Sequence, residues 1–301
     1  MKFIVLGANS FSGNAFCSLL GYLGHEFTPY SRPYFDLLKP LDHDFGNCDA
    51  VVNFAALNMV GESWEHASDY YRANVVGISE LAKKIDHTIP FIQVSTPEVY
   101  GNTNGFLTES EPFRPSTPYA VSRAASDMHL MALHKEYGYD IRFTRSANAY
   151  GPGQQLYRII PKTIMCALGG NKLPLHGGGL STRSFIHIRD VARGIYDVAV
   201  KGRSGHTYHM ASRSETLIAD LVKMICKRLG VSFDDLVEHV PDRPGKDPAY
   251  RLDDKKIRAD LHWTDREDLN DGLDEVISWA KKNYDYLKTV STEYRHADHV
   301  S

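Results

Sequence analysis

Short apolar runs alternate with longer amphipathic stretches through the first half of the chain. Residues 3–6, Phe27 to Tyr30, DAVVNFAA at 49–56, IPFIQV at 89–94 and DIRFTRSANAYG at 140–151 read as buried strands. Between them, residues 13–23, YYRANVVGISELAKKI at 70–85 and TPYAVSRAASDMHLMALHKEYG at 117–138 place apolar side chains at helical spacing. Strands alternating with helices predict a parallel, doubly wound sheet of the α/β class. The stretch PYFDLLKPLDHDFGNC leaves room for a brief third strand but not for a full crossover helix, so the sheet edge there is expected to be trimmed. Beyond Pro152 the pattern loosens, with glycine-punctuated loops such as LHGGGLSTRS. ETLIADLVKMICKRLG and LNDGLDEVISWAKKNY read as helices of a smaller second lobe, and TVSTEYRHADHVS as a frayed polar tail.

This patterning divides the chain into a dinucleotide-binding lobe, residues 1–152 plus about 184–210, and a smaller α/β lobe, about 153–183 plus 211–287. A polar tail, 288–301, follows. The composition is ordinary for a globular protein: 301 residues, 43% hydrophobic and 24% charged. A formal net charge of −3 argues against a broad nucleic-acid or membrane surface. Cys17, Cys48, Cys166 and Cys226 follow no metal-ligand spacing, and the histidines form no HExxH pair, so no metal site is expected. The opening MKFIVLGANSFSG lacks the apolar core of a signal peptide, and no run approaches a membrane span. A soluble cytoplasmic protein is the expectation.

Three constellations carry chemistry. GANSFSG, Gly7 to Gly13, follows a strand and opens a helix, which is the setting of a dinucleotide pyrophosphate turn. Ser10 stands where the middle glycine usually falls. The second strand ends in Tyr30-Ser31-Arg32 rather than an acidic residue. A hydroxyl and a guanidinium there tilt the cofactor choice from NAD toward NADP. STPEVYG at 95–101 places Thr96, Glu98 and Tyr100 at the carboxyl end of a strand, where ligands bind in such sheets. Tyr119 and Arg123 lie four residues apart on one helix face, so a fixed positive charge would favour phenolate and make Tyr119 a base near neutral pH.

Together with PYAVSRAASD, ANAYGPGQ, RSFIHIRDVARGI and DRPGKDPAYRLD, these pieces resemble the extended short-chain dehydrogenase/reductase family, in its nucleotide-sugar 4,6-dehydratase branch. The combination of TPEVYG with GQQLYRIIP is most similar to enzymes acting on GDP-linked N-acetylglucosamine in nonulosonic acid pathways, a branch of surface polysaccharide biosynthesis. The resemblance implies a Rossmann lobe holding NAD or NADP, a second lobe holding the nucleotide sugar, and a homodimer through a four-helix bundle. It makes Thr96, Glu98, Tyr119 and Arg123 the catalytic group. It assigns the cofactor to Gly7, Ser10, Phe11, Gly13, Arg32, Asp36, Leu37, Phe54, Ala55, Ala56, Asn74, Ser95, Tyr119 and Arg123, with Asp36 and Leu37 near the adenine. It assigns the substrate to Asn58, Ser63, Asn148, Arg158, Leu173, Leu175, His176, Arg183 and Arg243.

Two residues depart from the family pattern. Arg123 replaces the usual lysine, and Pro97 replaces the aspartic acid that many 4,6-dehydratases use to protonate the departing hydroxyl. TRSF, Thr182 to Phe185, also resembles decarboxylases of nucleotide-linked uronic acids. A 4-epimerase would leave Glu98 with little to do, and Thr96, Glu98 and Tyr119 together are more chemistry than a non-catalytic dinucleotide sensor needs.

Overall fold

A computed structural model describes residues 1–43, 45–101, 105–212, 214–241 and 251–294. Six parallel strands form the central sheet, in the order Thr207–Met210, Ile141–Ser146, Phe91–Val94, Ala50–Asn53, Lys2–Leu6, Glu26–Tyr30. The inner strands read as unbroken apolar runs because both faces are covered. One face packs against the helices Phe11–Tyr22 and Ile188–Lys201 through Phe3, Val5, Phe16, Leu20 and Ile195. The other packs against the helical stretch 67–82 and the helix Pro118–Tyr137 through Leu6, Val51, Ile78, Leu81 and Leu130.

The trimmed edge goes further than the sequence suggested. Among the described residues of 31–49 there is no strand. Phe35, Leu37, Leu41 and Phe45 instead bury themselves as an irregular plug against the sheet. The neighbouring helix has a π turn at Arg72–Gly77, and Gly77 lets the chain approach. A Cβ on Gly77 would lie 2.4 Å from the Leu37 carbonyl oxygen.

The second lobe is built from small pieces. Asn148–Tyr150, Thr182–His187 and Glu215–Leu217 form a three-stranded sheet, so residues 184–187 pair here rather than with the central sheet. Residues 215–217, expected to begin a helix, are a strand antiparallel to Thr182–His187, and the helix starts at Ile218. Leu173–His176 pairs in parallel with Val237–Val240. The helices Ile159–Gly169, Ile218–Leu229 and Leu269–Lys282 close the core of this lobe around Ile160, Ile164, Leu221, Ile225, Leu273 and Val276.

The cysteines are unpaired. Burial pushes the Cys17 and Cys48 thiols up to about 11, which keeps them protonated and unreactive. No helix among the described residues is long and apolar enough to cross a membrane.

Candidate active site

The carboxyl ends of the central strands and the second lobe enclose a cleft of about 1040 Å³. On the sheet side it is lined by Ser10, Phe11, Phe54, Ala56, Asn58, Ser95, Glu98, Tyr119 and Arg123, and on the other by Asn148, Arg158, Leu173, Leu175, His176 and Arg183. Fifteen side chains assigned from sequence therefore face one cavity.

The glycine turn owes its shape to close packing. Ser10 caps the helix Phe11–Tyr22, its hydroxyl accepting from the Gly13 amide at 3.1 Å. No acidic side chain occupies the first helical turn, so the helix end is free to receive an anion. Gly7 lies against Ala55, at the end of the third sheet strand in chain order. A Cβ at Gly13 would lie 2.3 Å from the Gly7 carbonyl oxygen. Gly13→Ala is therefore expected to distort the turn and weaken dinucleotide binding at least tenfold, checked by titrating the cofactor against intrinsic fluorescence. The comparable cost of overpacking a tight contact is about 1–3 kcal/mol.

The STPEVYG stretch becomes a short 3-10 turn, Pro97–Tyr100, at the end of the strand Phe91–Val94. Thr96 is its cap, the side chain accepting from the Glu98 amide at 3.3 Å, and Pro97 occupies the first helical position. That placement explains the proline: its fixed φ suits the first residue of a helical turn, and its missing N–H is not needed there. Pro97 is buried and does not line the cleft, while Glu98 does.

Tyr119 sits one residue into the helix Pro118–Tyr137, with Thr117 as cap. Its phenol is only 7% exposed. Burial pushes its pKa above the ordinary range; the Arg123 charge pulls it back down, Glu98 pushes it up, and the Thr96 side chain and Arg158 lower it. The net shift is upward, so the cation four residues away does not by itself make a phenolate near neutral pH. The sequence reading is corrected by the desolvation that it could not see.

Arg123 is 2% exposed. One of its nitrogens donates to the Val94 carbonyl, while Nε and Nη1 are buried without a hydrogen-bond partner among the described residues. Unmet guanidinium donors in a cleft are costly alone, and they suit a ligand's hydroxyl or carbonyl oxygens. Together with the glycine cradle, they fit a dinucleotide.

On the far wall, the helix Ile159–Gly169 opens at the cleft with no side-chain cap and no acidic residue in its first turn. Arg158, at its cap position, lies over the Tyr157 ring at 5.5 Å, and Lys162 and Arg183 line the same wall. Cations and free amides in one wall suit a diphosphate.

The family model described as GDP-mannose 4,6 dehydratase matches residues 43–276. The chain belongs to this family. It is 37% identical over 238 residues to a dTDP-glucose 4,6-dehydratase of Streptomyces niveus, covering 78% of this chain and 70% of the relative. It is 34% identical over 252 residues to a trifunctional UDP-glucose 4,6-dehydratase of Arabidopsis thaliana, covering 81% of this chain and 38% of that protein. Among solved structures, a dTDP-glucose 4,6-dehydratase of Streptomyces venezuelae with NAD bound is similar at 30% identity. The TM-score is 0.88, with 95% of this chain and 98% of that chain covered. These place the chain in the nucleotide-sugar 4,6-dehydratase branch of the extended short-chain dehydrogenases/reductases.

Several assigned residues of this dehydratase have other work. Ser63 is fully buried, and its hydroxyl donates to the Val60 carbonyl at 2.6 Å; Met59, Val60 and Trp64 face the cleft instead. Asn74 is also fully buried. It accepts from the Leu57 amide and donates to the Leu57 carbonyl and the Ser122 hydroxyl, each at 2.9 Å. It pins the loop after Asn53 to the tyrosine helix and does not line the cleft. Leu37 is part of the edge plug, and the Asp36 carboxylate accepts from the Leu38 amide at 3.1 Å; neither lines the cleft. Arg32 is exposed, and Ser31 accepts from the Asn9 amide at 2.8 Å, bracing the glycine turn. Arg243 lies outside the described residues.

Sequence reasoning missed Tyr157, Lys162 and Phe185. Tyr157 lies inside GQQLYRIIP, which had served only as a family mark. The described start of the tail packs on the molecule, and residues 295–301 lie outside the described residues. Tyr294 is half-buried against Tyr157, ring centroids 5.4 Å apart, and Glu293 pairs with Lys162 at 3.7 Å.

Proposed function

We propose that this protein dehydrates a nucleoside-diphosphate hexose to its 4-keto-6-deoxy form, using bound NAD or NADP. The observation that carries the reading is that Glu98 and Tyr119, the latter hydrogen-bonded by the Thr96 side chain, line one wall of a cleft whose opposite wall holds Arg158, Lys162 and Arg183. When bound, the dinucleotide supplies a hydride acceptor for C4, a hydride for C6, and a positive charge beside the phenol. Gly7, Ser10, Phe11 and Gly13 would hold its pyrophosphate, and Arg123 its sugar or amide oxygens.

Tyr119 takes the proton of the C4 hydroxyl, and Thr96 hydrogen-bonds the same oxygen. Oxidation at C4 makes the C5 proton acidic. Glu98 removes it and hands it to the C6 hydroxyl, which leaves as water. A second donor for that hydroxyl, at position 97 in many relatives, is excluded by proline. C5 then regains a proton from solvent through Glu98. Overall, one water is lost and the dinucleotide ends as it began.

The epimerase reading leaves Glu98 with little to do, and the uronic acid decarboxylase reading of TRSF is separated from dehydration by the mass of the product. The relatives named above act on dTDP- and UDP-sugars, and the family model is that of a GDP-sugar enzyme. The base is therefore decided by a panel: GDP-N-acetylglucosamine, GDP-mannose, UDP-N-acetylglucosamine, dTDP-glucose and UDP-glucuronate, each read by mass spectrometry. Loss of water from one member supports the reading and names the base. Loss of carbon dioxide from the uronate, or no change in any member, refutes it for these substrates. The four unpaired thiols suit a reducing compartment such as the cytoplasm.

We propose a homodimer, supported by one stripe. Val121, Ala125 and Met128 fall at helical spacing on the outer face of the tyrosine helix; Val121 is 39% and Met128 59% exposed, beside Val76 at 57% on the neighbouring helix. Two copies of this helix pair would form a four-helix bundle. Met128→Glu is expected to convert the dimer to monomer, as measured by light scattering after size-exclusion chromatography.

A further inference from the structure

Beneath the Thr96–Glu98 turn lies a chain of buried polar groups that the mechanism above does not use. Tyr100, Asp127, Arg145 and His209 are each fully buried, and none lines the cleft. They come from four elements: the catalytic turn, the tyrosine helix, the strand Ile141–Ser146 and the strand Thr207–Met210. Arg145 donates through one nitrogen to the Tyr100 hydroxyl and through the other to Asp127 Oδ2 at 2.7 Å. Its guanidinium also lies 4.9 Å from the centres of the Tyr100 and Phe113 rings. The Tyr100 hydroxyl meets His209 Nε2 at 2.7 Å, and His209 Nδ1 meets the Leu107 carbonyl at 3.2 Å.

The direction of every proton in this chain can be worked out. Burial lowers the His209 pKa to about 3, so the ring is neutral under working conditions. A carbonyl can only accept, so Nδ1 carries the hydrogen and Nε2 accepts. The Tyr100 hydroxyl then donates to His209 and accepts from Arg145. At the other end, the Ser95 hydroxyl donates to Asp127 Oδ2 at 2.6 Å. Ser95 has one proton, so it can offer the cleft only lone pairs.

We propose that Asp127, Arg145, Tyr100 and His209 are positioning residues for the elimination step. Through Tyr100, two residues from Glu98, they fix the direction of the turn that carries the base. Through Asp127 they make Ser95 a hydrogen-bond acceptor for a hydroxyl or amide donor of the ligand. A buried ion pair is a poor source of stability but can fix direction, here through the bonds of Arg145 to Tyr100 and Asp127, while Arg145 Nε and Asp127 Oδ1 have no hydrogen-bond partner among the described residues. The oxidation groups depend on it less. Thr96 precedes the turn, next to Ser95, whose amide is held by the Thr144 carbonyl at 2.8 Å, and Tyr119 stands in the first turn of the tyrosine helix, capped by Thr117 and eight residues before Asp127.

This inference rests on the dehydratase reading, and wild-type turnover tests that reading separately. The test compares wild type with Tyr100→Phe, His209→Gln and His209→Met. Steady-state kinetics are recorded together with the near-ultraviolet absorbance of enzyme-bound reduced dinucleotide. Tyr100→Phe keeps the ring and loses the link. It is expected to lower kcat about tenfold to a hundredfold, the scale of a misplacement of about 1 Å, with KM little changed. Reduced dinucleotide should accumulate during turnover, because elimination slows while oxidation continues. His209→Met removes the acceptor and should behave alike, whether or not Tyr100→Phe folds. His209→Gln restores a carbonyl acceptor and should return kcat toward wild type. Wild-type turnover in Tyr100→Phe, or equal loss in both His209 variants without accumulation, overturns the inference. A wild-type enzyme that dehydrates no nucleotide sugar refutes the dehydratase reading, and the inference falls with it.

Discussion

Glu98→Gln is expected to lower turnover about a thousandfold and to leave reduced dinucleotide on the enzyme. General acid–base groups contribute roughly 10²–10⁴-fold, and here one carboxylate serves twice. In the proposed mechanism it takes the C5 proton and delivers it to the leaving hydroxyl, since buried Pro97 offers no acid at position 97. Glutamine keeps the size of the side chain and removes its basicity. The first oxidation needs only Thr96 and Tyr119, so it should proceed and then stall. Single-turnover absorbance of the bound dinucleotide, followed beside product formation, checks this. Normal product formation by Glu98→Gln would remove Glu98 from the elimination.

Tyr119→Phe should be as slow but stall earlier, with no reduced dinucleotide at any time. The phenol is the only group assigned to take the C4 hydroxyl proton, and a loss of about 10²–10⁴-fold is the scale of such a base. The pH dependence has a definite sign. Burial raises the phenol pKa, so the catalytic phenolate fraction grows as pH rises toward that value, and kcat/KM should climb through the alkaline range. The Arg123 charge lowers the same pKa, so Arg123→Met should move the rising limb to higher pH. Stability runs the other way. A folded pKa above the unfolded value, about 10 for tyrosine, stabilises fully below that value and less as pH rises through the folded one. The enzyme should therefore gain activity and lose stability over the same alkaline window. A pH–rate profile with thermal melts at each pH reads both.

Much of this was legible in the sequence. Alternating apolar runs and amphipathic stretches sufficed for a doubly wound sheet, because each buried parallel strand must be unbroken and each covering helix one-sided. Thr96, Glu98, Tyr119 and Arg123 could be picked out because strand ends and helix spacing fix where their side chains emerge. What was not legible depends on contacts between distant segments. Ser63 and Asn74 have the chemistry of ligand-binding residues, yet Val60, Leu57 and Ser122 use up their bonds. Phe35, Leu37, Leu41 and Phe45 bury themselves without a strand, and the close approach of Leu37 needs a glycine at the distant position 77. Arg123 announced its charge, but nothing local announced the burial that raises the Tyr119 pKa. Tyr157 and Lys162 reach the cleft from a lobe of short irregular pieces, where periodicity carries little information.

The central claim is an internal transfer of hydride from C4 to C6 with loss of water. Its most direct test is the mass and label position of product formed from a nucleotide hexose deuterated at C4, using the panel member that reacts. The account requires a product lighter by one water, with the deuterium at C6. Deuterium remaining at C4 without a mass change, or a loss of carbon dioxide, would contradict it.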